Sequence, residues 1–98
     1  MPKDKRLVES SLLKKGFCQD NAHHKFFYYQ TMGGNLTHIH TYTSHGSKMN
    51  SLDDYLLNQM AKQCRLKNKQ FLDLVDCSMD REGYEKILRE KNLIDPLE

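Results

Sequence analysis

The histidines of this chain are concentrated in one stretch, since all five of them lie between Asn21 and His45. An imidazole has a pKa of about 6.5, so each ring can take up or give away a proton near neutral pH. The same stretch holds most of the aromatic residues and a turn sequence, Gly33-Gly34-Asn35. We therefore expect this stretch to carry the chemistry and the other segments to hold it in shape.

A metal site is a second interpretation of these histidines. His38 and His40 are separated by one residue, so a strand would place both imidazoles on one face. Together with His24 they would make a three-histidine site with an open position, as catalytic zinc uses. Because the sequence fixes no carboxylate beside them, we expect no metal and no other cofactor.

Length and composition exclude several classes of protein. The 98 residues allow one domain, and 38% hydrophobic with 29% charged residues is typical of a soluble globular protein. No apolar run approaches the roughly 20 residues that span a bilayer, and the N-terminus lacks the apolar core of a secretory signal. An odd number of cysteines without a Cys-x-x-Cys pair favours a reducing, cytoplasmic location; they are Cys18, Cys64 and Cys77.

Periodicity predicts a helix over 4–15 that ends at Gly16, with Val8, Leu12 and Leu13 as its apolar stripe. Three extended segments follow: one begins at Phe17 and Cys18, and after a turn at Asp20-Asn21-Ala22 come 23–31 and 36–43. Further helices are predicted over 51–65 with Ser51 as N-cap, after Asn68, and from Asp80 to about Asn92. This order predicts an α+β fold in which helices pack on one face of a three-stranded antiparallel sheet.

The two faces of the predicted sheet differ in how clearly they can be assigned. Alternation places Ile39 toward the core and both His38 and His40 outward. In the preceding strand both faces are aromatic, with Phe26 and Tyr28 on one and Phe27 and Tyr29 on the other. Alternation therefore does not decide which of those two faces is buried.

Four segments of the chain, which together span about residues 6–66, form an ordered set of motifs. They read LLKKGF from Leu12, NAHH from Asn21, SHG from Ser44 and LNQMAKQCRL from Leu57. In this order and spacing they resemble the HicA family, the small toxins of prokaryotic toxin–antitoxin pairs. The first is similar to the end of the family's first helix, the second to the start of its histidine-bearing strand, the third to the triplet after its last strand and the fourth to its closing helix.

The resemblance implies a fold like that of double-stranded-RNA-binding domains over 1–66, with 67–98 as a helical extension packed on the same domain. It also implies an endoribonuclease that cleaves messenger RNA in a type II toxin–antitoxin system and is inhibited by a HicB-like antitoxin protein. The family's functional histidine falls on His24. Where the family has Gly-Ser, this chain has Asn21-Ala22.

Metal-independent RNA cleavage needs a base for the 2′-hydroxyl proton and an acid for the leaving oxygen, and histidine suits both roles. We expect His24 to be the acid or base, with His40 and His45 as catalytic partners. Residues 1–15 carry a net charge of +3, which favours contact with a phosphate backbone. The residues expected to bind RNA are His23, Lys25, Tyr28, Lys14 and Lys15.

Two alternatives remain open from the sequence. The Asn21-Ala22 replacement is compatible with a non-catalytic RNA-binding or regulatory module of the same fold. A partner-binding domain without any nucleic-acid role would instead use an apolar face of the last two helices, formed by Phe71, Val75, Tyr84 and Ile87.

Overall fold

The structure, a computed structural model, describes residues 3–21, 25–44 and 51–94. These residues form β1 (Lys3–Asp4), α1 (Lys5–Lys14), β2 (Phe17–Asn21), β3 (Lys25–Gln30), β4 (Leu36–Thr43), β5 (Ser51–Leu52), α2 (Asp54–Gln63), α3 (Asn68–Val75) and α4 (Arg81–Glu90). The strands β2, β3 and β4 make a three-stranded antiparallel sheet in that order. The α+β class and the order of the main elements are confirmed.

Helix α1 begins and ends where its sequence predicts. The Asp4 carboxylate accepts a hydrogen bond from the Arg6 amide at the start, and Gly16 follows the end with φ of +97°. Its apolar stripe is narrower than expected, since Val8 and Leu12 are fully buried whereas Leu13 is 46% exposed. Val8 and Leu12 are four residues apart and lie on the same face of α1, and through them this short helix packs on the core.

Three local boundaries differ from the predictions. Ser51 does not cap α2; it pairs with Asp4 in the two-residue ladder of β1 and β5, and Asp53 accepts the capping hydrogen bond instead. The N-cap of α3 is Lys67 rather than Asn68. The turn expected at 20–22 does not include Asp20 and Asn21, which pair with β3, while Ala22 lies outside the described residues. Asp80 caps α4 as predicted.

Among the elements that the structure describes, the helices cover one face of the three-stranded sheet and leave the other uncovered. Phe27, Tyr29 and Ile39 are buried beneath the helices, which confirms the inward position of Ile39. Phe26 and Tyr28 alternate with the buried residues of β3 and therefore lie on the other face, as do His38 and His40 of β4. The outward position predicted for the two histidines is confirmed.

Helix α4 completes the core through an aromatic cluster. The Tyr84 ring lies 5.7 Å from the Phe17 ring and 5.0 Å from the Tyr29 ring, centroid to centroid. The Tyr84 hydroxyl donates a 2.8 Å hydrogen bond to the Cys64 carbonyl. Phe71 and Val75 of α3 are also buried. Three of the four residues of the docking face that the sequence suggested therefore lie in the core, and the fourth, Ile87, is partly buried against it.

A buried carboxylate ties α4 to the sheet. One Glu85 oxygen accepts hydrogen bonds from the Tyr29 hydroxyl at 2.7 Å and the Met32 amide at 2.9 Å, and the other accepts from Arg89 at 2.6 Å. Burial alone would raise the pKa of the Glu85 carboxyl, but these hydrogen bonds and the Arg89 charge hold the pKa below its ordinary value of 4.5. A lowered pKa means that the ionised form stabilises the fold above pH 4.5, and that this contribution is lost as the pH falls through the folded-state pKa.

Replacement of this carboxylate is predicted to destabilise the protein. Glu85→Ala leaves the Tyr29 hydroxyl and the Arg89 guanidinium without their acceptor, at a cost of roughly 3 kcal/mol in the free energy of unfolding. Urea denaturation at pH 7 measures it, with the exposed Glu82→Ala on the same helix as a control that loses less than about 1 kcal/mol. The gap between wild type and Glu85→Ala narrows in acid. Equal losses for the two variants would contradict this role of Glu85.

Candidate functional site

Four aromatic side chains form a continuous surface on the uncovered face of the sheet. We call this surface the ring platform; its members are Phe26, Tyr28, His40 and Tyr42. Strand pairing sets Phe26 opposite Tyr42 and Tyr28 opposite His40. The corresponding ring centroids are 5.7 Å and 5.0 Å apart. The four rings therefore contact one another across β3 and β4, and they do not pack into the buried core.

Part of this arrangement serves the hairpin itself. Cross-strand aromatic pairs contribute about 0.2–1 kcal/mol each, so Tyr28 and His40 help to set the register of β3 and β4. Cross-strand pairing does not by itself explain why the rings are exposed to solvent. Tyr42 is 43% exposed, and the other three rings are partly exposed. Contiguous exposed aromatic surface of this kind is typical of a binding site.

A cleft of about 290 Å³ lies beside β4, between the strand and the end of α2. We call it the cationic cleft; it is lined by His38, His40, Gln59, Lys62, Gln63 and Arg65. None of these lining residues is acidic, and both Lys62 and Arg65 are exposed. The cleft therefore offers hydrogen-bond donors and positive charge to an anion.

His40 belongs to both the ring platform and the cationic cleft. Its Nδ1 lies 2.8 Å from the carbonyl oxygen of His38. A carbonyl only accepts hydrogen bonds, so Nδ1 carries the proton in the neutral ring and Nε2 is the nitrogen that can take a proton from a ligand. This geometry gives His40 the tautomer of a general base while its ring packs against Tyr28.

The structure describes only some of the residues predicted to form the site. His23, His24 and His45 lie outside the described residues. Of the remaining predicted site residues, His40 and Tyr28 come together on the ring platform. Lys14 is exposed at the end of α1.

Two of the predicted RNA ligands are engaged elsewhere. Lys15 is only 8% exposed, and its ammonium donates to the carbonyls of Leu74 at 3.0 Å and Met79 at 2.6 Å. It satisfies one carbonyl at the end of α3 and one in the segment between α3 and α4, and is not available to a phosphate. Lys25 lies on the helix-covered side of β3, where its ammonium is 3.5 Å from the Glu9 carboxylate. The prediction that these two lysines bind RNA is therefore not supported by their placement.

Sequence reasoning did not single out the four residues that α2 and its exit contribute to the cleft. These are Gln59, Lys62, Gln63 and Arg65. Their signal was present, because residues three and four apart share one face of a helix and this face of α2 is polar without a carboxylate. Basic residues near the C-terminus of a helix are also favoured by the helix dipole. Lys62 and Arg65 therefore do not stand out in the sequence as ligands of an anion.

Among the residues that the structure describes, no three His, Cys, Asp or Glu side chains are grouped closely enough to hold a metal ion. His24, the third member of the three-histidine site that the sequence suggested, lies outside the described residues. No described helix is long and apolar enough to cross a bilayer.

Comparison of the chain with models of known protein families, with curated proteins and with solved structures gives no match.

Proposed function

We propose that this protein binds single-stranded RNA on the uncovered face of its sheet. The observation that carries the proposal is the ring platform, which adjoins the cationic cleft. The described lining of that cleft includes Lys62 and Arg65 and no acidic side chain. Unpaired bases stack on exposed aromatic side chains, and lysine and arginine neutralise the phosphates between them. His40 belongs to both the ring platform and the cationic cleft, so one RNA strand can contact both surfaces.

A single strand fits this surface better than a duplex. Stacking on a protein ring requires an exposed base face, and a double helix hides those faces between its own base pairs. The succession α1-β2-β3-β4-α2, with the helices on one face of the sheet, is similar to that of double-stranded-RNA-binding domains, and we propose that the core has this fold. The rings lie on the side that the helices leave open, which supports an unpaired ligand. The choice of RNA over DNA rests on the resemblance to the HicA family.

Loss of one ring is predicted to weaken binding. Tyr28→Ala removes a stacking surface that contributes about 1–3 kcal/mol per base, so affinity for a ten-nucleotide single-stranded RNA should fall roughly tenfold or more. Tyr28→Phe keeps the ring and should bind within about twofold of wild type. Fluorescence anisotropy at fixed salt measures both. If the alanine variant is folded and binds RNA as wild type does, the ring platform is not the binding surface.

RNA cleavage is a second candidate function, and the position of His40 favours it. Its Nε2 is the proton-accepting nitrogen and the cleft beside it is cationic, so a base and an anion-binding surface lie together. We propose that the protein is a HicA-like endoribonuclease toxin, with His24 as the principal acid or base and His40 and His45 as partners. A HicB-like antitoxin would then be its inhibitor.

Cleavage and binding can be separated in one experiment. Wild type should cut end-labelled messenger RNA in the presence of EDTA. His24→Ala and His40→Ala should each slow cleavage by about 10²–10⁴-fold, the usual contribution of one positioned acid or base. His24→Ala should still bind RNA as wild type does. His40→Ala also removes one ring of the platform and should bind more weakly, so its cleavage rate is compared at saturating protein. If wild type leaves RNA intact under conditions in which a HicA toxin cuts it, the nuclease function is wrong and the binding function stands.

A further inference from the structure

A second recess lies beside α2 and shares Gln59 and Gln63 with the cationic cleft. Its volume is about 330 Å³. We call it the apolar recess; it is lined by Tyr42, Thr43, Ser44, Leu52, Tyr55, Leu56, Gln59, Met60 and Gln63. None of these side chains is charged. Tyr55 is 69% exposed, so the recess has an aromatic side chain that is accessible to solvent.

The apolar recess is continuous with both parts of the candidate site. Tyr42 belongs to the recess and to the ring platform, where its ring centroid is 5.7 Å from that of Phe26. Gln59 and Gln63 line both the recess and the cationic cleft. A ligand with a flat apolar part joined to an anionic part would therefore contact all three surfaces at once.

The polar groups of the recess can distinguish one flat ligand from another. The side-chain oxygen Oε1 of Gln63 accepts a 2.7 Å hydrogen bond from the Thr41 hydroxyl, which fixes this side-chain amide and leaves its nitrogen Nε2 as a donor. The Gln59 amide presents a donor and an acceptor side by side. A glutamine amide can form two hydrogen bonds with the edge of a base and thereby discriminates between bases.

We propose that the apolar recess receives one unstacked nucleobase, whose phosphate lies in the cationic cleft. This inference rests on the RNA-binding function and adds to it a residue-level basis for sequence preference. Tyr42 and Tyr55 supply stacking surface, and Gln59 reads the base edge. The absence of charge in the recess and the cations beside it place the base and the phosphate in separate compartments.

The test uses four seven-nucleotide RNAs of uridine that differ only in the central base. Anisotropy is measured with wild type and with Gln59→Leu, which removes the amide and keeps the volume. Asn58→Leu is the matched control, because Asn58 is the neighbouring amide on α2 and does not line the recess. Wild type and the control should bind the best and worst RNA about tenfold apart, and Gln59→Leu should reduce this ratio to less than about threefold.

A second measurement reports the base directly. With 2-aminopurine at the central position, its fluorescence should be quenched on binding to wild type and should recover in Tyr55→Ala. Tyr55 is largely exposed, so this change costs little in folding. Equal binding of all four RNAs by wild type, or a preference that persists in Gln59→Leu, overturns the proposal that the recess binds a base. The proposal that the ring platform binds RNA is unaffected by that result. Failure of wild type to bind any of the RNAs overturns both.

Discussion

The burial of alternate residues on one face of the sheet is the constraint on which the candidate site depends. Phe27 and Tyr29 are fully buried beneath the helices, and Ile39 lies with them. Since side chains alternate along a strand, this burial forces Phe26 and Tyr28 to the other face. A slip of one residue in β3 would exchange the two sets, expose Phe27 and Tyr29 and bury the two rings that β3 contributes to the ring platform.

Contacts from α4 hold that arrangement at the hairpin. Arg81 donates a 2.7 Å hydrogen bond to the Gln30 carbonyl, and Glu85 accepts from the Met32 amide, so the helix grips the chain as it enters the β3–β4 turn. The Arg81 guanidinium also lies 5.8 Å from the centre of the Tyr29 ring. Gly16 leaves room for the Arg81 side chain, since a Cβ at this position would clash with the Arg81 Nε. A buried charge with several partners specifies one geometry more strongly than apolar contact alone.

Local signals in the sequence were sufficient for the order of the main elements, for Gly16 and for the outward histidines of β4. They failed where a distant segment decides. Asp53 replaces Ser51 as the cap of α2 because the chain before α2 pairs with the N-terminus. Lys15 turns inward because the carbonyls that it satisfies are about sixty residues away along the chain. The covered face of β3 was undetermined because both faces are aromatic, and the packing of the helices distinguishes them.

The central claim is that the uncovered face of the sheet is the surface that contacts unpaired RNA. Aromatic ¹H–¹³C spectra of the protein, recorded while a short single-stranded RNA is added, test it most directly. The account predicts shifts for the ring signals of Tyr28, Tyr42 and His40, with those of Phe27 and Phe71 in the core unchanged. Shifts confined to residues of α1, α3 or α4, or no shifts at a saturating RNA concentration, would contradict it.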